Sequence, residues 1–178
     1  MVSQELEGTM RSRTLQMLLV VAAMAVFGPP AWAQDEDVAA LAAALKETKL
    51  MLQDGLKASE QKGQPISAQF EIDDGKLQLS IYTTKGDDFT EVIADPNSGA
   101  VVKAEKITDS DDLNDAMDQK AAMDKATVSL IAAANAAEKE NPGSRVIGIF
   151  PDLEDGHAIA QVTLLQGRTA KKVTEKLD

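Results

Sequence analysis

Residues 64–107 decide the fold, and they read QPISAQFEIDDGKLQLSIYTTKGDDFTEVIADPNSGAVVKAEKI. Apolar and polar residues alternate in several short runs within this stretch, which is the period of a half-buried β-strand. Three turn signals separate the runs: Asp74-Gly75, Lys85-Gly86-Asp87-Asp88 and Asp95-Pro96-Asn97-Ser98-Gly99. Glycine adopts the positive φ that hairpin turns require, and proline presets φ. The stretch therefore predicts an antiparallel meander of three or four strands.

A helical pattern precedes the meander. Leucines and Val38 recur at helical spacing up to Leu56, and alanines fill the positions between them. Alanine has the highest helix propensity, and Gly63 followed by Pro65 is a stop signal. We therefore expect one helix over about residues 37–62.

A second helical stretch follows the meander. Residues 108–112 contain candidate N-caps, and an apolar stripe continues from Leu113 to Ala137. Asn141-Pro142-Gly143 ends this helical stretch. Whether the stretch is interrupted near Lys120 is left undecided.

The pattern of strands and turns then recurs. Asp155-Gly156 aligns with Asp74-Gly75 at an offset of 81 residues. The offset matches Leu77, Leu79 and Ile81 with Ala158, Ala160 and Val162, Gly86 with Gly167, and Val92 with Val173. Upstream, Gln64-Pro65 matches Asn141-Pro142 at an offset of 77, which predicts a longer first strand in the second copy. The second copy ends where the first makes its Asp95 turn.

These patterns predict an α+β fold with two repeats, each a helix plus a three- to four-stranded antiparallel sheet. The first repeat spans residues 34–110 and the second, truncated at its C-terminus, spans residues 111–178. Whether the two sheets join or pack separately is left open. Strand meanders leave edges unpaired, so we expect an exposed sheet edge.

Residues 1–33 have the composition of a signal peptide. Arg11 and Arg13 precede an apolar run, and Ala31-Trp32-Ala33 presents small residues at a cleavage site. The apolar run has about 13 residues, whereas a membrane span needs roughly 20. We predict cleavage between Ala33 and Gln34, no membrane insertion afterwards, and a periplasmic or secreted protein. The basic segment begins at Met10, so the start codon is Met1 or Met10.

The chain is acidic, with 18 Lys and Arg against 29 Asp and Glu and a net charge of −11. A field of this sign repels phosphate backbones, and we expect no basic stripe to interrupt it, so nucleic acid is excluded as a partner. The sequence has no cysteine, which removes disulfides and a lipoprotein anchor.

Candidate catalytic and metal-binding residues are few. His157 is the only histidine and follows a turn, so we interpret it as an exposed strand residue and predict no catalytic residues. One histidine and no cysteine cannot form a zinc or copper site. The acidic run that begins at Asp109 lacks the EF-hand glycine at Asn114 and the bidentate glutamate at Lys120, so we interpret it as a helix cap. We predict no cofactor and no metal.

The first repeat resembles the PepSY domain family. The resemblance rests on the helix that ends at Gly63-Gln64-Pro65, on the Asp74-Gly75-Lys76 turn, and on the turn of Asp95, Pro96, Asn97, Ser98 and Gly99 with the valine-containing strand after it. It covers about residues 37–107, and residues 120–178 match loosely through Asn141-Pro142-Gly143.

The resemblance implies a small helix-plus-sheet module of exported proteins without shared catalytic residues, in which the Asp95 turn is structural. It also implies an unidentified exported partner, with a peptidase as one candidate. The expected function is therefore a non-enzymatic binding or inhibitory module. The alternative left open is a periplasmic sensor of a small ligand or of calcium, and an enzyme ranks last.

Overall fold

Seven strands form one antiparallel sheet in the computed structural model, which describes residues 31–178 and their side chains from Val38 onward. The strands are β1 (Gln64–Asp73), β2 (Lys76–Lys85), β3 (Asp88–Ala94), β4 (Val101–Lys106), β5 (Arg145–Glu154), β6 (His157–Gln166) and β7 (Thr169–Lys176). Their order across the sheet is β4-β3-β2-β1-β5-β6-β7. The two predicted meanders therefore join, because β1 pairs with β5. The predicted α+β class with antiparallel strands is confirmed.

Two hairpin turns have the backbone conformation that their sequences predict. Asp74 and Gly75 have φ of 48° and 73°, and Asp155 and Gly156 have φ of 52° and 83°. Two consecutive residues with positive φ form the tight turn whose twist matches that of the flanking strands.

The strand bounds correct one detail of the sequence alignment. β1 and β5 each contain ten residues and begin 81 positions apart, so the predicted longer first strand in the second half is wrong. The irregularities in pairing also correspond, since the register shifts around Ile66 in β1 and around Ile147 in β5. The match of Pro65 with Pro142 was misleading because Pro142 precedes β5, whereas Pro65 lies within β1.

The expected helix over residues 37–62 is instead two helices. The helix α1 (Ala31–Ala44) continues into a 3-10 turn (Leu45–Glu47), and α2 (Leu52–Ser59) starts after a break. Arg145 holds the break open: one guanidinium nitrogen donates to the carbonyl oxygen of Leu45 at 3.0 Å, and another donates to that of Leu50. The hydroxyl of Thr48, within the break, donates to the carbonyl oxygen of Pro96. These partners lie far away in sequence, so helix propensity alone did not predict the break.

The second helical stretch is also divided, into α3 (Ser110–Met123) and α4 (Leu130–Glu140). The N–H groups of Thr127 and Val128, in the connection between the two helices, donate to the carbonyl oxygen of Leu177 at 2.6 and 2.8 Å. The helical stretch is therefore interrupted a few residues beyond Lys120, where residues 127 and 128 form hydrogen bonds with Leu177 near the end of the described chain.

The core lies between one face of the sheet and the helices α2 and α4. Gly55 in α2 lies against Leu79 and Ile81 of β2, and a β-carbon built at Gly55 would be only 2.2 Å from Leu79 Cδ2. Glycine therefore allows α2 to approach the sheet closely. The largest fully buried apolar side chains are Leu52, Leu56, Ile66, Leu79, Ile81, Val92, Val146, Ile149, Val162, Leu164 and Leu177. None of the helices in residues 31–178 has the length and apolar character that crossing a membrane requires.

Candidate functional site at the sheet edge

The outer edge of β7 carries backbone groups that pair with no other described strand. β7 is the last strand of the sheet, and it pairs only with β6 among the described strands. The N–H of Leu177 donates to the carbonyl of Ala158 at 2.9 Å, so the N–H of this odd-numbered residue points toward β6. Hydrogen-bonded pairs alternate along antiparallel strands. The backbone groups of the even-numbered residues therefore point away from β6; these residues are Ala170, Lys172, Thr174 and Lys176.

The β7 edge is basic although the protein is acidic. Residues 168–176 contain Arg168, Lys171, Lys172 and Lys176 but only one acid, Glu175. All four basic side chains are exposed. The expectation that no basic stripe interrupts the acidic field is therefore wrong at this edge. The signal was present in the sequence as four basic residues within nine positions.

The other end of the sheet is covered by β4, which pairs with β3. Five of the six residues of β4 are exposed, and Lys106 forms a 2.8 Å ion pair with Asp88 at the start of β3. The backbone groups of Phe89 in β3 point toward β4, because its carbonyl accepts from the N–H of Ile107 at 3.0 Å. By the same alternation, Glu91 and Ile93 also turn their backbone groups toward β4.

The residues of β3 and β7 that the predicted offset aligns carry opposite charges. At the offset of 81 residues, Glu91 in β3 corresponds to Lys172 in β7, and Asp95 corresponds to Lys176. Glu91 lies directly opposite Glu105 of β4 and interacts with the nearby charge of Lys103. In the described part of the chain, no strand pairs with the outer edge of β7 as β4 pairs with β3.

The turn from Asp95 to Gly99 connects β3 to β4. One carboxylate oxygen of Asp95 accepts from the N–H groups of Asn97 and Ser98 at 3.1 and 2.7 Å, and from the Ser98 hydroxyl at 2.7 Å. The Ser98 hydroxyl and backbone donors hold the pKa of Asp95 below its ordinary value, because they favour the charged carboxylate. Pro96 accepts from Thr48, and Gly99 has a φ of 71°. The five residues therefore form a hydrogen-bonded connection.

A second polar surface lies on the sheet face opposite α2. Glu71, Tyr82 and Glu91 carry side chains there, and the carboxylate of Asp112 in α3 lies near the hydroxyl of Tyr82. Burial raises the pKa of Glu71 and of Glu91, and neighbouring carboxylates raise it further. Burial likewise raises the pKa of Asp112. The sequence did not single out these residues, because their proximity depends on how α3 packs against the sheet.

The remaining candidate residues lie apart from both surfaces. His157 begins β6 with an exposed ring, and its Nδ1 is 3.0 Å from a carboxylate oxygen of Asp178. Asp109 caps α3 by accepting from Asp111 N–H at 2.9 Å, which confirms its interpretation as a helix cap. Within the described residues, no group of three or more His, Cys, Asp or Glu side chains is arranged to hold a metal ion.

The predicted leader lies outside the described residues except for its last three positions. The structure places Ala33 and Gln34, between which cleavage is predicted, in the first turn of α1.

Among the comparisons with known proteins, a family model matches only the first half of the described chain. No curated protein matches the sequence. A candidate lipoprotein from Clostridium difficile 630 is a solved structure that is similar to the chain, with 19% identity, a TM-score of 0.42, and coverage of 74% of this chain and 88% of that one. Residues 39–105, from α1 to β4, match the PepSY family model, described as "Peptidase propeptide and YPEB domain", which is commonly a peptidase-propeptide-like module of exported proteins.

Proposed function

We propose that this protein is an exported, non-enzymatic binding module that adds a strand of another exported protein to the edge of β7, and that a peptidase is the first partner to test. The observation that carries the proposal is the open backbone edge at Ala170, Lys172, Thr174 and Lys176. Extended peptides bind such edges through main-chain hydrogen bonds, while alternate side chains provide specificity.

The proposal includes a tandem organisation in which residues 111–178 repeat residues 34–110 without the fourth strand. The common offset of strand bounds, hairpin turns and register shifts supports it. The sheet pairing supports it as well: Ala68 of β1 lies opposite Ile149 of β5, its own counterpart at that offset. Such a pair is expected on a two-fold axis, so the two halves would be related by an approximate two-fold rotation.

An open β7 follows from this organisation. In the first half, the Asp95 turn returns the chain as β4 and covers the edge of β3. Among the described strands, none lies beside β7 in the way that β4 lies beside β3. The position beside β7 that corresponds to β4 would then be the binding position for a partner strand.

Export and the lack of enzymatic activity are also part of the proposal. The signal-peptide features of residues 1–33 support cleavage after Ala33 and a periplasmic location. The match of residues 39–105 to a propeptide-like module supports binding or inhibition of a peptidase rather than catalysis.

The test is capture from periplasmic extract by residues 34–178, followed by a peptidase assay on the captured protein. Thr174→Pro removes an outward N–H that β6 does not use, and proline is tolerated at such edge positions. Thr174→Val keeps the N–H and is the matched control. We expect wild type and Thr174→Val to capture and inhibit the partner, and Thr174→Pro to lose both activities.

Two results would contradict the proposal. One is that wild type captures no exported protein; the other is that Thr174→Pro captures the partner as well as Thr174→Val does. Circular dichroism of each variant establishes that it is folded.

A further inference from the structure

Resting on the proposed function, we propose that the strand that β7 accepts is acidic. It pairs antiparallel in the register that β4 adopts on β3, carries a carboxylate opposite Lys172, and belongs to a protein other than this one.

The position of the carboxylate follows from the pairing of β3 with β4. Glu91 lies directly opposite Glu105 in that pair. Because Lys172 corresponds to Glu91, a strand in the same register places its own residue at the position of Glu105 directly opposite Lys172. Opposite charges at directly opposed positions stabilise a strand pair, and like charges destabilise it.

Lys172 and Lys176 are available for such contacts. Both side chains are exposed, and neither forms a hydrogen bond or an ion pair with another described residue. They belong to the outward-facing set, so both lie beside an incoming backbone and on the same sheet face. Two unpaired lysines on one face of an open edge favour a strand with carboxylates on that face.

A second copy of this chain does not satisfy the edge. The outward residues of β7 are Ala170, Lys172, Thr174 and Lys176. Two β7 edges would therefore bring lysines together without a carboxylate on the face of Lys172 and Lys176, because Glu175 lies on the other face. On β4, the hydrogen bond between Ile107 and Phe89 makes the odd-numbered residues face β3. On the same side of the β4 register shift as Ile107, the outward residues of β4 are Ala104 and Lys106, and neither is an acid.

Three synthetic peptides test the inference. Each has the sequence of residues 101–107 with one residue type at all three charged positions: Glu in the acidic peptide, Gln in the neutral one and Lys in the basic one. Each is titrated to millimolar concentration into isotope-labelled protein (residues 34–178), and amide shifts along β7 are followed by NMR. The same titrations use Lys172→Glu/Lys176→Glu and, as a control with the same change of net charge elsewhere, Lys62→Glu/Lys85→Glu.

We expect the acidic peptide to bind about fivefold more tightly than the neutral one for each charge pair formed, and the basic peptide to bind weakest. Lys172→Glu/Lys176→Glu should reverse this order, Lys62→Glu/Lys85→Glu should keep it, and Thr174→Pro should abolish binding of all three peptides. This combination supports an acidic partner strand at β7.

Other outcomes overturn the inference in distinguishable ways. Equal binding of the three peptides, lost in Thr174→Pro, refutes the acidic preference but leaves strand addition standing. An acidic preference that survives in Thr174→Pro refutes pairing at β7, because the attraction would then need no backbone contact. Absence of shifts along β7 with every peptide refutes the inference, while the capture experiment tests the proposed function separately.

Discussion

Individual residues show how position within the fold changes the chemistry of a side chain. Asp95 and Glu91 are near neighbours in sequence, yet hydrogen-bond donors lower the pKa of Asp95 whereas burial raises that of Glu91. Asp95 lies in an exposed turn, and Glu91 lies on the sheet face near α3. The sequence located Asp95 in a turn and Glu91 in a strand, but the burial that raises the pKa of Glu91 depends on the elements packed around it.

Glu91→Gln is expected to stabilise the protein near neutral pH and to flatten its pH dependence. The folded-state pKa of Glu91 lies above the ordinary value of 4.5, mainly because burial disfavours the charged carboxylate. Stability from this group is therefore fully present below the unfolded-state pKa and is lost as the pH rises through the folded-state pKa. Glutamine keeps an oxygen that accepts from Ser80 but carries no charge.

Urea unfolding between about pH 5 and pH 8 checks this prediction, because that interval lies above the unfolded-state pKa of glutamate. The control is Glu154→Gln, at an exposed glutamate at the end of β5. Equal pH dependence in wild type and Glu91→Gln would show that burial of Glu91 does not contribute to stability.

Among the elements, the break between α1 and α2 depends most clearly on distant contacts. Arg145 at the start of β5 donates to carbonyls on both sides of the break, and its guanidinium lies 5.1 Å from the centre of the Phe70 ring. A planar guanidinium can serve several carbonyls and stack on an aromatic ring at once. A sequence pattern read along one helix contains no information about this arginine.

Arg145→Lys is expected to destabilise the protein by about 1–3 kcal/mol, since an ammonium group cannot reproduce these contacts and leaves a buried carbonyl unpaired. Urea unfolding gives the change in stability, and amide hydrogen exchange over residues 45–51 should increase. Arg168→Lys, at an exposed position, is the matched control and should have little effect. Unchanged exchange at the break in Arg145→Lys would contradict this role.

At the scale of the whole molecule, the two halves share one sheet, and their helices α2 and α4 are in contact. β1 pairs with β5, and the side-chain amide of Gln53 in α2 donates to Asn135 and Glu138 in α4 at 3.1 and 3.0 Å. Arg145 crosses the same boundary. The sequence predicted the boundary at residue 110, but it did not predict how strongly the halves depend on each other.

Neither half is therefore expected to fold by itself. Residues 34–110 and 111–178, expressed separately, should give circular dichroism spectra with little β-structure, because each would expose the central strand edge and half of the apolar layer. An equimolar mixture should regain the sheet and a cooperative thermal transition. A stable, cooperatively melting fragment of residues 34–110 would refute this interdependence, and the intact chain is the control.

The sequence by itself determined what depends on local preference. Alternation and positive-φ turns located the strands of both halves, and the caps at Asp109 and the stop at Asn141 located helix ends, since the residues that cause these features lie within a few positions of them. The basic composition of residues 168–176 could also be seen in the sequence.

Only the tertiary structure decided what depends on residues far apart. The joining of the sheets, the helix break at Arg145 and the half-buried carboxylates each require two distant segments to meet. The candidate site on β7 belongs to this group, because only the strand order shows that β7 lies at an edge of the sheet with no other described strand beside it.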